Sequence, residues 1–227
     1  MADTESNQAG TDPRLAAVSF LTTEHFTLQG ARSATIAEST GRATMFLSSV
    51  SGGLVALGLM ATATHIGAAF YAFALILLPT LAFLGFVTFD RTLQSGIEDH
   101  GYARRIARLR GYYFEQAPEL TDYLLSVPPE ERLAVQGLRG GRWQGFLTVA
   151  GMVCVITVVL LGSAVGLLAD LVANHSLVAA LVAGSAAAIA VLAGLMRHQR
   201  KAWKRANTAL LFAGETASPR RDGRSDP

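Results

Sequence analysis

The chain has 227 residues, of which 51% are hydrophobic and only 16% charged, against about 25% charged in an ordinary soluble domain. A formal net charge of +2 is too small to argue for a nucleic-acid partner, and a single cysteine, Cys154, excludes a disulfide framework within the chain. The distribution of charge says more than its total. From Ala43 to Phe89 there is no Asp, Glu, Lys or Arg, and from Trp143 to Met196 there is only Asp170. A bilayer span takes about 20 apolar residues, so each run holds two spans and a tight turn. The helices of a soluble core would show a polar face every third or fourth residue, and these runs do not. The expected fold is therefore all-α: an integral membrane four-helix protein of two transmembrane hairpins, with a helical cytoplasmic subdomain.

In chain order, residues 1–11 are polar and lack periodicity, which predicts a disordered N-terminus. The opening Met1-Ala2-Asp3-Thr4-Glu5 is acidic where a secretory signal is basic. Asp12-Pro13 supplies an N-cap and a first helical residue. Residues 12–44 then read as an amphipathic cytoplasmic helix leading into the membrane, its face marked by Leu15, Val18, Leu21 and Leu28 with His25 between. Residues 45–89 form hairpin 1, with spans over Met45–Ala63 and Ala68–Phe89 and a turn at Thr62, Thr64, His65 and Gly67. Pro79 should kink the second span, because it removes a backbone hydrogen bond.

Residues 90–142 form a cytoplasmic helical segment, too long for a structureless loop. Its first helix is expected over Thr92–Glu115, with Leu93, Ile97, Ile106, Leu109 and Tyr113 as the apolar side. Pro118-Glu119 and Pro128-Pro129 open two shorter helices, and a glycine-rich loop from Gly137 to Arg142 returns to the membrane. Residues 143–196 form hairpin 2, with spans over Gln144–Leu168 and Leu177–Met196 and a turn marked by Asp170, Asn174 and His175. Residues 197–227 are a basic cytoplasmic tail.

Every Lys and Arg falls in the N-terminal segment, the middle segment or the tail; neither short turn has one. Four spans place those three segments on one side, and the positive-inside rule makes that side the cytoplasm of a multi-pass protein in the plasma membrane. Basic residues are nearly all Arg, with Lys201 and Lys204 the only lysines. With the abundance of Ala and Gly, this composition suggests a GC-rich bacterial genome.

Candidate functional residues fall into two groups. Small residues one helical turn apart occur at Ser49 and Gly53, at Gly162 and Gly166, at Gly184 and Ala188, and at Ala190 and Gly194. Such spacing lets helix backbones approach closely in lipid, between subunits or, the preferred reading, within a hairpin. The second group is basic and aromatic: Arg104, Arg105, Arg108, Arg139, Arg142 and Trp143 around the middle segment, then Arg197, Arg200, Lys201, Trp203, Lys204 and Arg205 after the last span. These are expected to meet the membrane surface or its lipids. Eight acidic residues share the middle segment with its eight arginines, which argues against nucleic acid there.

No catalytic, cofactor-binding or metal-ligating set stands out. Glu98-Asp99-His100 are consecutive, so on a helix they point about 100° apart and do not converge on one ion. No span carries an ionisable residue near its middle, where coupled transporters keep proton and ion relays. A membrane enzyme would need a nucleophile and base, or paired acids, at the interface, and neither is evident. The expectation is a non-enzymatic membrane module that binds a partner or assembles with itself, without cofactors. The alternative is a homo-oligomeric channel or pore-forming effector, its wall built from Ser48, Ser49, Ser51, Thr148, Thr157 or Ser163. The implied partners are the lipid bilayer and, beyond it, a second copy of the chain or a cytoplasmic protein.

Overall fold

A computed structural model describes residues 13–116 and 148–216. They form four helices: α1 (Pro13–Thr64), α2 (Ala68–Gln116), α3 (Val149–Val172) and α4 (Leu177–Thr216), with no strand among the described residues. All four are long and apolar enough to cross a membrane. At 1.5 Å per residue, the 24 residues of α3 extend about 36 Å, close to the ~30 Å hydrocarbon layer. The other three have 52, 49 and 40 residues and outrun that layer. The fold is an all-α, four-helix membrane fold.

The expected boundaries are corrected at two places. The helix expected from Thr92 is not separate: α2 continues unbroken through Asp90. Its apolar side stays in step across that point, since Phe89, Leu93, Ala103 and Ile106 are all buried. The buried Thr92 hydroxyl is satisfied within the helix, donating back to the Thr88 and Phe89 carbonyls at 2.9 and 3.0 Å. The third span is shifted toward the C-terminus. Thr148 caps α3, its hydroxyl accepting from the Gly151 N–H at 3.0 Å, and the helix runs past Leu168 to Val172. Asp170 therefore lies in the last turn of α3, not in the connecting loop. Gln144 to Leu147, and the helices expected at Pro118 and Pro128, lie outside the described residues. α2 also runs through Pro79 without ending; the ring sits on the exposed side.

Both short connections reverse the chain in the same way. His65 and Ile66 have φ of 47° and 58°, and Asn174 and His175 have φ of 55° and 63°. Two successive left-handed residues are unusual without glycine, and for β-branched Ile66 especially so. Gly67 then closes the first turn with its N–H on the Thr64 carbonyl, and His175 closes the second on the Asp170 carbonyl.

The described residues divide into two compact units, one of residues 13–35 with 99–116 and the other of residues 36–98 with 148–216. In the second, the core is built from Phe46 and Val50 of α1, Leu78, Ala82 and Phe89 of α2, and Val153, Cys154 and Val158 of α3. α4 leans on it through partly buried Val191, Leu195, Met196 and Trp203. Large apolar side chains such as Met45, Ile76, Phe83 and Val182 point outward, as a lipid solvent requires.

In the first unit the inward stripe of α1 passes through Leu21, His25, Leu28 and Arg32. Val18, expected on that face, is 41% exposed, and Phe20 and Phe26 point outward at 73% and 70%. This part of α1 is thus not amphipathic in the expected sense, because its inward stripe carries polar groups while two of its largest apolar side chains face out.

Candidate interaction surfaces

The small residues of hairpin 2 are brought together within the chain. A Cβ on Gly162 would lie 3.0 Å from the Ala188 Cβ and from the Gly184 carbonyl oxygen. One on Gly166 would lie 3.0 Å from the Ala180 carbonyl oxygen, and one on Gly184 would lie 2.8 Å from that of Gly162. α3 and α4 therefore pack backbone to backbone, the arrangement that small residues four apart permit. Gly53 in hairpin 1 instead makes room for a side chain: an added Cβ would meet the end of Leu81 of α2 at 2.7 Å. Ser49 instead faces outward, its hydroxyl donating to the Met45 carbonyl at 2.9 Å. Ala190 and Gly194 are also exposed.

One close approach carries no sequence signature. A Cβ on Gly85 would overlap the Thr157 hydroxyl and come within 3.0 Å of Phe46. Here α1, α2 and α3 meet. Nothing in the spacing of Gly85 marks it out, because its neighbours at four residues are Leu81 and Phe89.

Three of the six pore-lining candidates, Ser49, Thr148 and Thr157, are engaged by their own helices. Thr157 is fully buried and donates to the Val153 carbonyl at 2.7 Å, and the Thr148 hydroxyl serves as the α3 cap.

At the end of the second unit marked by the two short turns, three polar side chains converge. The Tyr71 hydroxyl of α2 donates to Asp170 Oδ2 at 2.6 Å, and His175 Nδ1 lies 3.1 Å from the same oxygen. Tyr71 and His175 also approach each other at 3.4 Å. The cluster ties the left-handed turn at Asn174-His175 to α2. Sequence reading placed Asp170 and His175 at a turn but had no means of adding Tyr71, which is 99 residues away from Asp170.

At the opposite end, His198 of α4 reaches Asp90 of α2 at 3.3 Å, while Gln94 donates to the other oxygen of Asp90 at 2.9 Å. Gln199 beside it is 7% exposed and buries a side-chain oxygen that has no donor among the described residues. Of the expected lipid-contact residues here, Arg197, Arg200, Lys201, Lys204 and Arg205 are exposed. Trp203 is half-buried against the apolar core instead of standing free in the headgroup layer.

The first unit holds a two-pronged ion pair: Arg32 Nε to Asp99 Oδ1 at 2.6 Å and Arg32 Nη2 to Asp99 Oδ2 at 3.3 Å. Beside it, His25 stacks edge-on with Tyr113 at 6.5 Å between ring centres, and its Nδ1 is buried without a partner among the described residues. Asp99 is thereby committed to Arg32 while Glu98 is exposed, so Glu98-Asp99-His100 diverge. Arg105 and Arg108 are exposed and Arg104 is partly buried. Arg139, Arg142 and Trp143 lie outside the described residues.

Among the described residues, no group of three or more His, Cys, Asp or Glu side chains is placed to hold a metal ion. Cys154 is fully buried in the core. No known protein family, curated protein or solved structure matches the chain.

Proposed function

We propose that the chain is a multi-pass plasma-membrane protein that acts without catalysis of its own, by holding a protein partner or a second copy through helices on the cytoplasmic side. The positive-inside rule supports that side for both termini and the middle segment. A cysteine replacing His65 or Asn174 should react with an impermeant thiol reagent from outside intact cells, and one replacing Ser126 should not. Labelling at Ser126 alone would overturn this orientation.

One observation carries the partner-binding reading: Phe20 and Phe26, at 73% and 70% exposed, lie on α1 well before its uncharged span begins at Ala43. Lipid covers the outward apolar side chains of the spans, but water would surround these two. Burying a phenylalanine contributes about 1.5–3 kcal/mol, so covering both is a substantial fraction of a micromolar interaction. They stand about 120° apart around the helix, so the occupant must grip two flanks of α1. A photo-reactive phenylalanine analogue at each position should crosslink to one protein species. Crosslinking to neither a protein nor a second copy would remove the basis for the reading.

A specific observation also favours the homo-oligomeric channel as a second reading. Thr40, Thr44, Ser48 and Gly52 follow each other at four-residue intervals on α1, all exposed, and an added Cβ at Gly52 would meet nothing within 4 Å. The most apolar stretch of α1 is only 17% buried. Native mass spectrometry separates the two: a closed ring of four or more subunits supports the channel, and a monomer or dimer rejects it.

A further inference from the structure

We infer that the stretch of α4 from Arg197 to Arg205 is a binding surface for anionic phospholipid headgroups. The apolar part of α4, Leu177–Met196, is 20 residues long, which at 1.5 Å per residue is about 30 Å, the depth of the hydrocarbon layer. Arg197 follows immediately, so the next two turns of the same unbroken helix lie at headgroup depth. Within those turns Arg197, Arg200, Lys201, Lys204 and Arg205 occupy one arc of about 140°. The other side of the helix carries buried Gln199 and the half-buried Ala202 and Trp203, with Trp203 seated on the core. The five cations therefore face away from the protein, and all five are exposed.

Among the described residues none of the five has a carboxylate at ion-pair distance, whereas Arg32 and Arg42 are each paired. The nearby Asp90 has both oxygens engaged, one by His198 and the other by Gln94. Five on one arc, at headgroup depth and without a carboxylate partner among the described residues, make a surface whose complement is a layer of phosphates. Arg contributes forked donors and Lys mobile point charges, both suited to phosphate oxygens. Trp203 fixes the helix rotation by packing on the core, so the arc keeps its outward aim.

The test is native mass spectrometry of the full chain released from nanodiscs of equal parts phosphatidylglycerol and phosphatidylcholine. The wild-type protein should retain phosphatidylglycerol in preference to phosphatidylcholine. A variant with Arg197→Gln, Arg200→Gln, Lys201→Gln, Lys204→Gln and Arg205→Gln should lose that preference at least about tenfold, given that each cation near an anionic surface is worth about a fivefold change. All five side chains are exposed, so the variant should keep the wild-type melting temperature in pure phosphatidylcholine, which shows that the fold is intact. Equal retention of both lipids by the wild type, or an undiminished preference in the variant, would overturn the inference. Displacement of the lipid by millimolar soluble glycerol phosphate would overturn it too, by showing a site for free anions.

Discussion

Gly85 of α2 lies so close to Thr157 of α3 that a single methyl group there would overlap the threonine hydroxyl. That hydroxyl cannot simply swing aside, because it is fully buried and donates to the Val153 carbonyl at 2.7 Å. Phe46 closes the third side. Gly85→Ala should therefore destabilise the protein by about 1–3 kcal/mol through overpacking. Gly58→Ala, where an added Cβ meets nothing within 4 Å, should change stability little. Thermal unfolding in detergent compares the two. Equal melting temperatures would mean that α2 and α3 do not approach this closely in the membrane.

Hairpin 2 depends on glycine in a different way. The nearest obstacles at Gly162, Gly166 and Gly184 include backbone oxygens of the facing helix, at 3.0, 3.0 and 2.8 Å from the added Cβ. Backbone cannot rotate out of the way as a flexible side chain can, so the helices must separate. Replacing Gly162 and Gly166 together with Leu should lower the melting temperature more than Gly53→Ala, where the obstacle is the far end of Leu81. If the Leu pair leaves both melting temperature and oligomeric state unchanged, close packing of this hairpin has no part in the fold.

These two cases show what the sequence made legible. Long uncharged runs and four-residue spacing of small residues are local signals, and they announced four spans and the glycine contacts of α3 with α4. Gly85 announces nothing, since its role is set by Phe46 and Thr157 on two other helices. Tyr71 is similar: it reads as one more apolar-run aromatic until Asp170 is brought to it from 99 residues away. The boundary of α3 was misjudged for a related reason. Asp170 reads as a loop residue in an apolar sequence, but Tyr71 and His175 satisfy its carboxylate and let the helix keep it. On α1, the 3-4 spacing found a stripe but assigned Val18 to it wrongly, because partly buried polar residues such as Arg32 complete the face instead.

The two arginine pairs on α1 should differ measurably. Arg32 and Asp99 join separate helices, with side chains 25% and 28% exposed and a fork of two hydrogen bonds. Arg42 and Glu38 are neighbours on one helix at 45% and 59% exposure. Exposed pairs four residues apart contribute only about 0.3–0.5 kcal/mol, and forked, partly buried ones about 1–3 kcal/mol. Arg32→Gln should therefore destabilise more than Arg42→Gln, and its effect should survive higher salt, because partly buried charges are screened less. Denaturation at low and high ionic strength tests the order. A larger loss from Arg42→Gln would contradict it.

The Tyr71–Asp170 hydrogen bond should couple the two hairpins at the end where their short turns lie. Asp170 is the only Asp, Glu, Lys or Arg between Trp143 and Met196, and its side chain is 17% exposed, so it depends on protein groups for much of its solvation. Tyr71→Phe removes the 2.6 Å donor and leaves the carboxylate with His175, whose side chain is 62% exposed and offers a longer contact of 3.1 Å. The expected result is a lower melting temperature, because the carboxylate loses its shortest hydrogen bond. Asp170→Leu on its own leaves the tyrosine hydroxyl only its longer 3.4 Å approach to His175. Combined with Tyr71→Phe it should recover part of the loss, because an apolar pair leaves neither polar group unmatched. The signature is therefore non-additivity: the double variant should be more stable than the sum of the two single losses predicts. Unfolding measurements on the four proteins give that coupling directly. Strict additivity would mean that α2 and α3 gain nothing from this contact, leaving the Asn174-His175 turn without its tie to hairpin 1.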